Sequence, residues 1–180
     1  WYLEQQKEAE DMARKHGFPK VSQLKLAIAK RIKEFVASGG FLFAMCSATD
    51  SFDIALSAEG TDICERMYDG DPADPRAQEK LNYENTLAFT NYHLVRDPFT
   101  YEFSDIDNNA KERGLRQDND YFGVFEFSAK WDPIPTMLTQ NHTRVIEGFY
   151  GQTTGFKKHL IKADVVIMAE NKQINEAKYL

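Results

Sequence analysis

Two adjacent glycines, Gly39 and Gly40, separate an amphipathic helical pattern from six consecutive apolar residues that end on a cysteine. Before the glycines, Leu24, Ile28, Ile32, Phe35 and Val36 recur at spacings of three and four, while Lys25, Lys30, Lys33 and Glu34 occupy other faces. That periodicity predicts a helix of about four turns with one apolar stripe, N-capped by Ser22. The glycines can adopt the positive φ that ends it. After them, Phe41-Leu42-Phe43-Ala44-Met45-Cys46 shows no polar alternation. Such a run predicts a strand covered on both faces, as in a parallel sheet between layers of helices. Ser47, Ala48 and Thr49 are small, and Asp50 or Ser51 is placed to cap a further helix that ends near Gly60. The order helix, strand, tight turn, helix is the core of an α/β domain.

The remainder of the chain adds β character to this scaffold. Residues 3–16 read as a first helix, ended by Gly17 and Pro19. Asp69-Gly70-Asp71-Pro72-Ala73-Asp74-Pro75 is a turn-dense acidic loop. Short β-leaning segments follow at residues 87–95, 99–103, 121–127, 143–149 and 164–169, with a polar connection at 105–120. A short helix is predicted over residues 156–161 and the start of a strand over 177–180. The expected fold class is α/β: an open, mostly parallel sheet with flanking helices and strand-rich insertions. With 180 residues, 42% of them hydrophobic, residues 1–180 suit a single domain. The chain opens on Trp1 directly in helical pattern and is read as a stretch of something longer.

Charge and composition exclude several function classes. The net charge is −6 and no Lys/Arg cluster offsets it, which excludes nucleic acid as an expected partner. No apolar run approaches the roughly 20 residues that span a bilayer. Cys46 and Cys64 make no disulfide framework, and without a Cys-x-x-Cys pair no structural zinc site is expected. Asp69, Asp71 and Asp74 are the residues nearest to a hard-cation set, but the calcium-loop spacing fails and the prolines favour a plain turn. Neither a metal nor a cofactor is expected.

Chemistry concentrates at Cys46. A strand that ends in a sharp turn carries its last side chain to the sheet edge where open α/β folds bind ligands. Small neighbours let a substrate approach. The amide of Ser47 is placed to donate to a developing oxyanion, and the helix start behind it carries partial positive charge. Ala44 and Ala48 stand where many such elbows carry glycine. A cysteine nucleophile also needs a base, usually an oriented histidine. Of the four histidines, His16 closes a helix and His159 follows two lysines, which leaves His93 and His142 as the candidate bases. The alternative is a free cysteine at a strand end with no catalytic task.

The string from Gly39 to Asp53 resembles a group of Bacteroidota proteins labelled asparagine synthetase B, which carry a class I glutamine amidotransferase-like, flavodoxin-like domain. The acidic loop from Asp69 to Pro75 is similar too. So are Phe125-Glu126-Phe127-Ser128-Ala129-Lys130-Trp131-Asp132-Pro133, Met137-Leu138-Thr139-Gln140-Asn141-His142-Thr143 and Gly151-Gln152-Thr153-Thr154. The resemblance implies a longer, exported, periplasmic protein with a signal peptide and earlier strands. It also implies a later strand leading to the histidine that partners Cys46. The implied function is amide hydrolysis or transfer through Cys46. A scaffold without catalysis, acting as a binding or assembly component of an envelope complex, is the alternative. An unidentified small molecule or a protein is the expected partner.

Overall fold

The computed structural model describes residues 2–97, 99–100, 102–107, 121–124, 144–147, 155–172 and 175–180. Three α-helices lead the chain: α1 at Tyr2–Lys15, α2 at Val21–Ala37 and α3 at Ala48–Ser57, followed by the single turn α4 at Arg66–Asp69. Two of the long helices end by the same device. Gly17 and Gly39 take φ of 82° and 93°. The next amide reaches back five residues, Phe18 to the Ala13 carbonyl and Gly40 to that of Phe35, each at 2.9 Å. These bonds satisfy carbonyls that a helix end otherwise leaves bare. Phe18 then packs with Ala9 against Ala13, Val21 and Leu24, closing a small core between α1 and α2.

The start of α2 departs from expectation. Its N-cap is Lys20, not Ser22, and no side chain caps the helix. The Ser22 hydroxyl donates to Asp62 at 3.0 Å instead. Likewise the N-cap of α3 is Ser47 rather than Asp50 or Ser51.

The architecture is mixed α/β, but its sheet is antiparallel, which corrects the expected mostly parallel arrangement. Five short strands, β1 Tyr121–Val124, β2 Val145–Glu147, β3 Phe156–Lys157, β4 Ala169–Asn171 and β5 Glu176–Tyr179, pair in the order β2-β1-β4-β5-β3. Every pair runs antiparallel, with Phe122 opposite Ile146 and Phe156 opposite Ala177. For β4 and β5 the connection dictates this. Four residues join β4 to β5, whereas a parallel crossover needs about a dozen or more. The segment predicted to belong to a parallel sheet, residues 41–45, pairs with no strand among the described residues.

Two other expected strands are replaced by irregular chain. Residues 87–95 contribute only isolated bridges, Phe89 to Ile161 and Leu94 to Ser104, and the described residues of 99–103 belong to no strand. The amides of Leu87, Ala88 and Phe89 are captured by a side chain, which removes them from any ladder. The helix expected over residues 156–161 is β3 followed by a 3-10 turn at Lys158–Leu160. The main core joins these parts. Ile54 from α3 meets Phe89, Tyr92, Ile106, Phe156, Leu160 and Ala177. Among the described residues no helix is long and apolar enough to cross a membrane.

Candidate functional site

The turn between residue 45 and α3 is built on a strained residue. Cys46 has φ of 55°. Asn91 and Asn175 also have positive φ, but asparagine tolerates that region, whereas a cysteine there costs free energy of order 1 kcal/mol. The turn closes through the Ala48 amide to the Met45 carbonyl at 3.1 Å and the Thr49 amide to the Cys46 carbonyl at 3.0 Å. Cys46 is exposed. Among the described residues the Ser47 amide, at the N-cap of α3, donates to no carbonyl.

Behind the elbow, α3 turns acidic residues inward. Asp50, one turn after Cys46, is 2% exposed and accepts a hydrogen bond from the Ser104 hydroxyl at 2.9 Å. Burial pushes its carboxyl up to about 6, against the opposing pull of Ser104 and of the amides of Asp50 and Ser51. Asp53 is equally buried and accepts three backbone bonds, from Leu87, Ala88 and Phe89 at 2.7, 2.7 and 2.8 Å. Next to it the Tyr92 hydroxyl donates to Ser57 Oγ at 2.7 Å, and Ser57 donates to the Ile54 carbonyl at 2.8 Å. These bonds fix the rotation of α3 about its axis and so the direction in which the elbow faces.

The predicted site residues are only partly brought together. Cys46 and Ser47 adjoin as expected from the chain. His93 is exposed and its backbone is held by Asp105, with the His93 amide donating to the Asp105 carboxylate at 2.7 Å. No hydrogen bond joins His93 to Cys46. His142 lies outside the described residues, as do residues 125–133 and 151–154 of the family resemblance. The polar groups near the elbow that sequence reading missed are Asp50, Asp53 and Ser104. Only their acid or hydroxyl character was visible, since their partners lie 34 to 54 residues away.

The second cysteine behaves differently. Cys64 is half-buried in the wall of an apolar cleft of about 250 Å³ that runs along Ser51, Ile54 and Ala55 of α3. Burial first, and the charge of Asp69 second, push its thiol up to about 12. It is a thiol at neutral pH and a poor nucleophile. The acidic loop also rearranges relative to expectation. Asp69 and Asp71 gather with Asp62, while Asp74 turns away to the Lys80 ammonium and the Arg76 amide.

No family model matches the chain, and no curated protein or solved structure matches it either.

Proposed function

We propose that Cys46 is the nucleophile of a class I glutamine amidotransferase-like domain in an exported, asparagine synthetase B-like protein. The reading is carried by one observation: an exposed cysteine with φ of 55° stands directly before α3. Strain of this kind persists only where the surroundings impose it, and it recurs where a side chain must be presented to a substrate. In the proposed step, the Cys46 sulfur attacks the carbonyl carbon of a side-chain amide and its proton passes to a base. His142 or His93 is the proposed base. The Ser47 amide receives the developing oxyanion. Collapse of the intermediate expels ammonia, which takes up the proton, and leaves a thioester on Cys46. Water or an acceptor amine then cleaves that thioester.

The test is covalent capture. A diazo-ketone analogue of glutamine is expected to add once to the native protein, at Cys46 and not at Cys64, and Cys46→Ala is expected to abolish both labelling and ammonia release from glutamine. Labelling that is equal at both cysteines, or activity that survives Cys46→Ala, would sink the reading.

One observation favours a second reading. Residues 41–45 are apolar and belong to no helix or strand, and the backbone groups of residues 41–44 make no hydrogen bond among the described residues. An apolar segment with unpaired backbone groups is a template for strand addition. That supports a non-catalytic amidotransferase-like scaffold that binds another component of the cell envelope. A stable complex whose assembly is lost on changing Phe41 or Phe43 but not Cys46 would separate it from the enzyme reading.

A further inference from the structure

The acidic loop folds around a carboxylate that has no partner. Asp69, the last residue of α4, is 7% exposed, and neither of its oxygens accepts a hydrogen bond. Burial pushes the Asp69 carboxyl above its ordinary range; the Cys64 thiol and the Asp71 amide alongside pull it the other way, yet neither reaches hydrogen-bond geometry. Leaving a buried carboxylate ionised in this state costs several kcal/mol unless a cation meets it or it takes up a proton.

Two further carboxylates converge on the same point. One oxygen each from Asp62, Asp69 and Asp71 lies within 4.8 Å of the others. The three come from separate stretches: the loop after α3, the end of α4 and the residue beyond Gly70. Gly70 makes the convergence possible. Its φ is 86°, and a Cβ there would lie 2.6 Å from Gln6 Nε2 and 3.2 Å from Glu10 Oε1 on α1. The Lys20 ammonium already reaches Asp62 at 3.3 Å and touches Asp71, but it does not reach Asp69. One positive charge thus serves two of three acids, and the most buried acid is left out. Beside them opens a polar cleft of about 400 Å³, bordered by Gln6, Glu10 and Lys20, with room for water ligands.

We infer that Asp62, Asp69 and Asp71 form a binding site for a hard divalent cation of the calcium type, with Lys20 as the intrinsic cation it displaces. The donor set is all oxygen, which selects a hard ion over a thiolate-seeking one. Oxygens bound at about 2.4 Å to one Ca²⁺ lie no more than about 4.8 Å apart, and the three carboxylate oxygens lie within that limit of one another. Mg²⁺ requires shorter bonds and stricter octahedral geometry and is expected to bind more weakly. The ion would tie α4 to the loop that follows α3 and, through the vacated Lys20, loosen the start of α2. Water from the cleft would complete its coordination.

Calorimetric titration of the chelator-treated protein with CaCl₂ and, separately, MgCl₂ tests this, with thermal unfolding in each salt as a second readout. Ca²⁺ is expected to bind one-to-one and to raise the unfolding temperature. Asp69→Asn is expected to weaken binding by about tenfold or more, whereas Asp97→Asn, at an exposed acid elsewhere, is expected to leave it unchanged. Lys20→Met is expected to tighten binding, because the competing ammonium is gone. The inference is overturned if neither salt binds the unaltered protein up to about 10 mM, the weak end for calcium modules. It is equally overturned if Asp69→Asn binds Ca²⁺ as tightly as the unaltered protein. A gain of stability in Asp69→Asn without any response of the unaltered protein to either salt also overturns it, by showing that Asp69 stands protonated.

Discussion

Two consecutive stretches of chain invert the usual rule of burial. Residues 41–45 are wholly apolar and stand in solvent, with Phe41, Phe43 and Met45 at 63, 50 and 64% exposure. Residues 48–57 follow at once and bury two aspartates and a serine almost completely. Hydrogen bonding explains the second stretch. Asp53 accepts three amides, Asp50 accepts the Ser104 hydroxyl, and Ser57 stands between Tyr92 and a carbonyl. The first stretch has apolar side chains suited to burial, but no strand among the described residues pairs with its backbone. Pattern tells which residues can be buried; partners decide which of them are.

The strongest way to break this comparison is to remove the acceptor at Asp53. Asp53→Ala leaves three amides without their acceptor beneath the core and is expected to destabilise the fold by about 3–5 kcal/mol in urea unfolding. Asp53→Asn keeps one acceptor oxygen and is expected to lose less than half of that. A change below about 1 kcal/mol for the alanine variant would mean that residues 87–89 find other acceptors and that the aspartate is not what holds α3 in place.

The buried charge also sets a pH dependence, of the next magnitude. The Asp50 carboxyl is raised to about 6 in the fold by desolvation. Between about pH 4 and 6 the native state therefore holds a proton that the unfolded chain has released. The stabilisation from this group is full below the ordinary aspartate range, is lost as pH rises through about 6, and is absent above it. The loss amounts to order 3 kcal/mol. Glu59, Asp74 and Glu170 are lowered by lysine partners and slope the other way, so the informative quantity is the difference between the unaltered protein and Asp50→Asn. That difference should grow in favour of the asparagine variant from pH 4 to pH 7 and then level off. A difference that is flat with pH would show that Asp50 is not desolvated.

The helices were legible because their signals are local. The spacing of Leu24, Ile28, Ile32 and Phe35 and the positive-φ glycines act within a few residues of one another, and α1 to α3 follow from them. The caps were not, because Ser22 answers to Asp62 at a distance of 40 residues. The strand pairing failed for the same reason. An apolar run predicts a strand with two covered faces, but whether anything covers it is decided by residues remote in sequence. At the candidate site, the turn at Cys46 and the start of α3 were readable from small residues, but the strand expected to lead into them is not assigned. Its supports, Asp50, Asp53 and Ser104, were not, because each is defined by a partner remote in sequence. The acidic cluster shows a mixed case: Asp69 and Asp71 were visible in one loop, but Asp62 replaces Asp74 as the third member because Asp74 is taken by Lys80.

The exposed side of the comparison yields the smallest expected effect and the one that sharpens it most. Phe43 stands at the centre of the unpaired segment. If solvent surrounds it in the isolated chain, Phe43→Ser should change the unfolding free energy by no more than about 0.5 kcal/mol, as surface substitutions do. It should also lower binding of a hydrophobic dye and shift any self-association toward monomer, since it interrupts a contiguous apolar strand. Truncating a buried phenylalanine costs about 3–5 kcal/mol instead. A loss in that range would mean that the segment is already covered, either by a second copy or by another part of the molecule, and repeating the measurement over a tenfold range of protein concentration tells these apart. Coverage by a copy makes the loss depend on concentration, whereas coverage within the molecule does not.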